Sequence, residues 1–296
     1  MMEAAVLDRI SEKVASGEPL AEQEVRELTS THDILALGSL ADRVRRRRHG
    51  PRTTFLRVAN LSAAQVSESI AVPPAAREIR LAGPVSSLDE AAKAVRAAAR
   101  IDARLPLSGF SLADIDAAAR AAGTGLAAAL QRLRDAGLAM VAEAPIDWDG
   151  WRGALDAAAA AGVRVPRLTV DAARAGIVPL LARVAEACRM SGVSSVFAPL
   201  PRRPGPEPTT GYEDVKAVAL ARLLTDVEHI QVDWQLHGPK LAQVALTVGA
   251  DDVDNVAAAD DHPEGRRRAP LEEILRNIRA AGLEPVQRDA SFAVVP

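Results

Sequence analysis

From Asp33 to Arg47 the apolar positions Ile34, Leu37, Ala41 and Val44 recur every three or four residues, the spacing of one face of an α-helix. Ser30 stands where an N-cap is wanted, and Gly50, after His49, is placed to end the run. The same kind of spacing makes the whole stretch before Gly50 read as helix. Arg45 to Arg48 then form the last turn of an amphipathic helix, where positive charge interacts favourably with the helix C-terminus. That makes them most simply a solvated face, against the alternative of a phosphate-binding patch.

After Gly50 the pattern changes to short apolar stretches separated by helical segments. Strands are predicted at Thr53 to Val58, Glu78 to Leu81, Leu105 to Ser108, Leu138 to Ala142, Val163 to Leu168, Ser194 to Ala198, His229 to Asp233 and, more weakly, Asp252 to Val256. Helix starts are marked by capping boxes at Ser87-Leu88-Asp89-Glu90 and Thr210-Gly211-Tyr212-Glu213. A last helix, Leu271 to Ala281, places Leu271, Ile274, Leu275 and Ile278 on one face and stops at Gly282. Strands alternating with helices build a parallel sheet through right-handed crossovers. Eight of them predict a TIM-type (β/α)8 barrel over 51–296, preceded by a helical extension over 1–50. The Pro/Gly-rich stretch Pro201 to Gly211 follows a strand and is placed at the functional face of such a barrel.

Composition narrows the function. Of 296 residues, 3% are aromatic, and the net charge is -3. Neither suits a nucleic-acid binder, which needs basic surface and stacking rings. Alanine is abundant and nearly all the positive charge is arginine, a bias of GC-rich bacterial genomes. No apolar run is long enough to span a bilayer, and the acids in Met1 to Ser11 do not suit a signal peptide, so a cytoplasmic protein is expected. The one cysteine, Cys188, excludes a disulfide framework and any multi-cysteine metal site within one chain. P-loop, nucleophile-elbow and His-Glu-x-x-His motifs are missing from the sequence. Gly123-Thr124-Gly125 lies inside an Ala-rich helical region and does not follow a strand, so it is no dinucleotide fingerprint.

The C-terminal third carries a succession of motifs: Tyr212-Glu213-Asp214-Val215-Lys216 leading to Glu228-His229-Ile230-Gln231-Val232-Asp233-Trp234, then Gly238-Pro239-Lys240-Leu241-Ala242-Gln243, Gly249-Ala250-Asp251-Asp252-Val253-Asp254, and Glu284-Pro285-Val286-Gln287-Arg288-Asp289. Together with Asp33 to Arg47, His49-Gly50 and Phe197-Ala198-Pro199-Leu200-Pro201, these resemble the radical SAM enzymes of the futalosine route to menaquinone, aminofutalosine synthase and dehypoxanthine futalosine cyclase, and their relatives in deazaflavin cofactor synthesis. The resemblance implies a radical-SAM-like barrel, a [4Fe-4S] cluster held by three cysteines spaced C-x3-C-x2-C, S-adenosylmethionine as co-substrate, and a transferase-like activity. Counted without gaps from His49-Gly50, the cysteine positions fall on Ser67, Ala71 and Pro74, none of which supplies a thiolate. Where the family has a Gly-Gly pair after the second strand, this chain has Ala82-Gly83. The family's Gly-rich stretch aligns with Glu143-Ala144-Pro145, and its Gly-His-x-Glu segment with Thr169-Val170-Asp171-Ala172. Backbone that must approach a ligand closely needs glycine.

Two functional expectations follow. One is a degenerate, cluster-free homologue, a pseudoenzyme without radical SAM activity, metal or cofactor. It would serve the menaquinone pathway by binding another enzyme of that route or a small nucleoside-like ligand. The alternative is an enzyme of different chemistry, acting on a nucleoside-like or aromatic acid substrate through His237, Asp252 and Asp254 at the barrel mouth. Ligand contacts are expected at Gly83, Pro199, Asp233, Lys240 and Asp251, and the segments Phe197 to Pro201, Asp233 to Lys240 and Asp251 to Asp254 are expected to line the largest cavity at the C-terminal ends of the strands. On an extended strand His229, Asp233 and His237 would share one face, a pattern that suits either a mononuclear metal site or ordinary strand and loop hydrogen bonding. Asp251, Asp252, Asp254, Asp260 and Asp261 form an acidic run without the spacing of a calcium loop. Cys188 reads as a small buried residue.

Overall fold

A computed structural model gives the structure of residues 4–172, 177–205, 209–260 and 269–295. Three helices come first, α1 (Ala4–Ser16), α2 (Glu22–Ser30) and α3 (Ile34–His49). Nine strands and eight more helices follow: β1 (Arg52–Ser62), β2 (Glu78–Ala82), α4 (Leu88–Ala99), β3 (Leu107–Ser111), α5 (Leu112–Ala121), α6 (Leu126–Asp135), β4 (Met140–Pro145), α7 (Trp151–Ala161), β5 (Leu168–Ala172), α8 (Val178–Ala187), β6 (Val196–Arg203), α9 (Gly211–Leu224), β7 (His229–Asp233), α10 (Trp234–Thr247), β8 (Asp252–Ala257), α11 (Pro270–Ala280) and β9 (Glu284–Arg288). All strand pairings are parallel. Each of β1 to β7 pairs with the next, and β8 returns to β1, so the sheet closes into the eight-stranded barrel that the sequence predicts.

β1 is long enough to serve three neighbours. Its first half pairs with β9 from Arg52↔Glu284 to Leu56↔Arg288, and its second half pairs with β2 from Val58↔Glu78 to Ser62↔Ala82. The ninth strand therefore fills the edge that β2 leaves open at the N-terminal end. Among the described residues no helix joins β1 to β2; that link, 63–77, runs from the C-terminal end of β1 to the start of β2 as turns and irregular chain.

Alternation along the strands sorts their side chains. In β2, β7 and β8 the residues Ile79 and Leu81, Ile230 and Val232, and Val253 join the apolar cluster shared with the helices. Their neighbours Glu78 and Arg80, Gln231 and Asp233, and Asp252 and Asp254 point the other way into the barrel and are nonetheless buried. Outside, α11 buries Ile274 and Ile278 completely, each worth about 1.5–3 kcal/mol of apolar transfer.

Several local expectations need correction. Asp33, not Ser30, caps α3, accepting from the Ala36 amide at 3.0 Å, while the Ser30 hydroxyl turns back to the Glu27 carbonyl at the end of α2. Arg45 to Arg48 are not a uniformly solvated face. Arg45 is fully buried, donating to Asp42 and the Gly50 carbonyl; Arg47 donates to the Val14 and Ala15 carbonyls of α1, and Arg48 to the Val227 carbonyl before β7. The run fastens α3 to α1 and to the barrel. The fifth strand lies later than predicted, because 163–167 makes only the isolated bridges Met140↔Arg164 and Val165↔Val193 before regular pairing starts at Leu168. Thr210 does form a capping box with Glu213, and Gly282 follows α11 with φ +72°.

Candidate functional site

The barrel interior is an ion-pair network built from those inward positions. Asp254 receives Arg80 in two bonds, 2.8 and 3.1 Å, and Arg167 on the first of the same oxygens. Burial alone would raise the Asp254 carboxyl, but Arg167 and Arg80 hold it well below the usual carboxylate range. Arg80 also donates to Glu78 at 2.8 Å, whose carboxylate takes the Ser108 hydroxyl as well. One layer toward the N-terminal end, Arg288 of β9 donates to both oxygens of Asp252, at 2.6 and 2.7 Å, with Gln231 adding a third bond at 2.7 Å. The Arg288 guanidinium lies 3.8 Å from the centre of the Phe292 ring.

Across the C-terminal mouth a second chain of contacts runs from β1 to β4. Asn60 donates to Asn255 at 2.7 Å, Asn255 to Asp233 at 3.0 Å, Arg202 to Asp233 at 3.2 Å, and the Arg202 Nε lies 2.6 Å from Glu143. Asp233 also caps α10 through the Leu236 amide. Asn255 takes φ +62°, a conformation asparagine tolerates better than most residues, and this aims its amide at both partners. Burial pushes the Glu143 carboxyl up despite Arg202 and Arg167 nearby.

The residues predicted as a mouth cluster are distributed differently. Asp252 and Asp254 are committed to Arg288, and to Arg80 and Arg167. His237 donates from Nε2 to the Pro201 carbonyl, 3.1 Å away, and no hydrogen bond joins it to either aspartate. Asp251 precedes β8 and so lies at the N-terminal end, bound to Arg222 and His229. His229, Asp233 and His237 do not converge, because the strand ends at Asp233 and α10 begins at Trp234, which puts His229 and His237 at opposite ends of the barrel. Lys240 is exposed on α10 with no ion pair to a described residue. Gly83 is exposed, with φ +112° and nothing within 4 Å of where a Cβ would stand. Asp260 pairs with Arg57 at 2.6 Å; Asp261 lies outside the described residues, as do 206–208 of the stretch Pro201 to Gly211.

A cavity of about 600 Å³ lies elsewhere. Pro199 and Pro201 line it, but the Asp233–Lys240 and Asp251–Asp254 segments do not; it opens on the outer side of β6, among His32, Ile177, Tyr212 and Lys216. Lys216 reaches the Thr31 carbonyl at 2.9 Å, and the His32 and Tyr212 rings stand 6.5 Å apart.

The positions that the resemblance assigns to the cysteines of a [4Fe-4S] cluster lie in 63–77. Ser67, Ala71 and Pro74 are all exposed there, and the Ser67 hydroxyl shares a 3.0 Å hydrogen bond with Ser69. Cys188 is distant from that link in the fold: it ends α8 in the outer helix layer, half-buried against the apolar cluster, and burial pushes its thiol up although Ser195 opposes the shift. A thiol so placed is the reverse of a ready thiolate ligand. These donors do not fit the cluster.

Fold and interior together define the class, a closed parallel (β/α)8-type barrel. Methylornithine synthase superposes with a TM-score of 0.67 over 96% of this chain and 98% of its own, at 15% identity. The FeFe-hydrogenase maturase HydG from Carboxydothermus hydrogenoformans gives 0.65 over 97% and 80%, at 12% identity. These establish fold likeness. In sequence, the chain resembles the aminodeoxyfutalosine synthase of Streptomyces coelicolor, 38% identical over 94 residues, and a 5-amino-6-(D-ribitylamino)uracil–L-tyrosine 4-hydroxyphenyl transferase of Methanosarcina barkeri, 38% identical over 95. Each match spans 29% of this chain and 24% of the relative. No family model matches the chain. Among the described residues no helix is long and apolar enough to cross a membrane.

The sequence reading missed the arginines. Arg80, Arg167, Arg202 and Arg288 are the partners that absorb the candidate carboxylates. The pairs Glu78-x-Arg80, Gln231-x-Asp233 and Asp252-x-Asp254 were the available signal, since polar residues at alternate strand positions in a helix-wrapped barrel must face inward.

Proposed function

We propose that this chain is a cluster-free homologue of the futalosine-pathway enzymes, without radical SAM activity, and that it acts by binding a small nucleoside-like ligand or another enzyme of menaquinone biosynthesis. The observation that carries the reading is the link 63–77, where the three positions expected to bear thiolates are Ser67, Ala71 and Pro74. A cluster of this kind is held by thiolates, and homolysis of S-adenosylmethionine needs its electron. The chain of contacts Asn60–Asn255–Asp233–Arg202–Glu143 supports the same reading. It puts the Glu143 carboxyl where the family's Gly-rich stretch leaves room and ties it to Arg202 by an ion pair.

The alternative, acid/base or metal-assisted chemistry by His237, Asp252 and Asp254, draws no support from their separate hydrogen-bond partners. Binding is better accommodated by the cavity beside β6, whose volume of about 600 Å³ lies within the range of small-molecule sites. It offers the Tyr212 and His32 rings to a planar group and the Lys216 ammonium to an anionic one.

Anaerobic iron and sulfide reconstitution, followed by iron analysis, tests the proposal. The expected product is colourless. Visible absorbance with about four irons per chain, retained in Cys188→Ser, overturns it. Thermal-shift screening with S-adenosylmethionine and futalosine-type nucleosides then separates the ligand from the partner branch, because a ligand specific to the folded state raises the melting temperature.

A further inference from the structure

The N-terminal face of the barrel carries a second cluster that the resemblance does not explain. His49 ends α3, His229 opens β7, and Asp251 directly precedes β8, so three separate elements deliver two imidazoles and a carboxylate to one point. One ligand atom from each, a ring nitrogen of each histidine and a carboxylate oxygen, lies within 4.8 Å of the other two. Both histidines address the same oxygen: His229 Nδ1 is 2.6 Å and His49 Nε2 is 3.5 Å from Asp251 Oδ2. The other oxygen, Oδ1, is occupied from behind by Arg222 and by the Ile230 amide at 2.9 Å. Asp251 is 2% exposed. The imidazoles are held in place by stacking, His49 on His229 with centroids 5.1 Å apart, and His229 on Phe292 at 4.3 Å.

We propose that His49 Nε2, His229 Nδ1 and Asp251 Oδ2 form a site for a divalent transition metal of the zinc type. Two imidazoles and a carboxylate are a borderline N/O donor set that Zn2+ accepts at about 2.0–2.2 Å from each atom. Ligand atoms at that radius in a tetrahedron stand roughly 3.3–3.5 Å apart, which the His49–Asp251 separation already matches. The shorter His229–Asp251 contact is what a proton between the two groups produces, and the metal replaces that proton as His229 moves back by less than 1 Å. His49 Nε2 donates to the Glu228 carbonyl at 2.9 Å, which Arg222 also addresses at 3.2 Å, so the metal displaces this proton as well and water completes its coordination. Arg222 and the Ile230 amide supply the outer hydrogen bonds that fix a ligating carboxylate. A depression of about 460 Å³, lined by His49, His229, Asp251, Arg48, Arg52 and Thr54 among others, gives the ion a route in. The positive charge of Arg48, Arg52 and Arg222 opposes a cation, so the site is weaker than an all-cysteine structural zinc site. The site shares no residue with 63–77, so it is independent of the proposed function.

The test uses the full chain stripped with EDTA and titrated with ZnCl2 by calorimetry and with CoCl2 by visible absorption. One ion per chain is expected, with Co2+ giving ligand-field bands and no sulfur charge-transfer band. His49→Gln and His229→Asn are each expected to weaken uptake at least tenfold, while His237→Ala and Cys188→Ser bind as the wild type does. The melting temperature of each metal-free variant reports folding. If His229→Asn does not fold, His49→Gln decides, since its ring stands at the end of α3. Failure of the folded wild type to take up either ion overturns the site, as does uptake unchanged in His49→Gln.

Discussion

Replacing Asp254 by asparagine keeps the size of the side chain and removes one charge from between Arg80 and Arg167. Both guanidiniums are at least nine-tenths buried, Arg80 6% and Arg167 4% exposed, and Asp254 itself is 1% exposed. Breaking a buried pair by removing one partner leaves uncompensated charge and costs about 3–5 kcal/mol. With unfolding entropy near 2.1 cal/mol/K per residue, 296 residues give about 0.6 kcal/mol/K, so the melting temperature falls by roughly 5–8 °C. Differential scanning calorimetry at pH 7 measures it. The quadruple change Glu78→Gln, Arg80→Met, Arg167→Leu, Asp254→Leu removes the two acids and the two bases of this cluster together and is expected to restore most of the loss, because the penalty lies in desolvated, unmatched charge. The pH dependence has a definite sign. Asp254 is lowered in the folded state, so its stabilisation is complete above the unfolded value of about 3.9 and is lost as pH falls below it toward the lowered folded one. A fall of less than about 2 °C for Asp254→Asn would refute the reasoning, since it would mean that water screens the barrel interior.

Other expectations are smaller in scope. Gly249 has φ +122°, and a Cβ there would stand 2.9 Å from Arg222 Cβ and 3.2 Å from Ala41 Cβ; Gly249→Ala is expected to destabilise by about 1–3 kcal/mol in urea unfolding. Glu24 is lowered to about 2 by the Ala21 amide and by Lys13 and Arg9, so α1 is expected to loosen from α2 as pH falls from about 4.3 toward 2. Limited proteolysis should show Glu24→Gln doing the same at neutral pH. Lys240→Ala, at an exposed position, is expected to leave the melting temperature within about 1 °C of wild type.

The barrel was legible because the chain switches from a 3.6-residue to a short-strand rhythm at Gly50, and that switch falls within two residues of the start of β1 at Arg52. His229 to Asp233 was readable to the residue, since Ile230 and Val232 alternate with polar neighbours and an aspartate cap closes the strand. The interior was less legible for a physical reason. Asp252 and Asp254 look alike in sequence, and only the closure of the sheet decides that one meets Arg288, 36 residues later, and the other Arg80, 174 residues earlier. The same limit hid the cluster at the N-terminal end: His49 and Asp251 share no local pattern and meet through the return of β8 to β1. Arg45 was misread because helix periodicity registers side-chain direction, whereas its burial is set by Asp42 and by the Gly50 carbonyl that its guanidinium reaches.

The seam at β1 has a consequence for synthesis. Its first residues pair with Glu284 and Pro285, so during translation this strand emerges more than two hundred residues before one of its three neighbours exists. At about 5–20 residues per second, roughly 10–50 s pass with the Arg52–Leu56 edge exposed and with Asp252 and Arg288 not yet joined. Contacts of such long sequence separation fold slowly. The helices before Gly50 can dock on α9 only once it too has been made. The nascent chain therefore waits with the unpaired backbone edge of Arg52–Leu56 uncovered, the kind of edge that invites pairing with another chain.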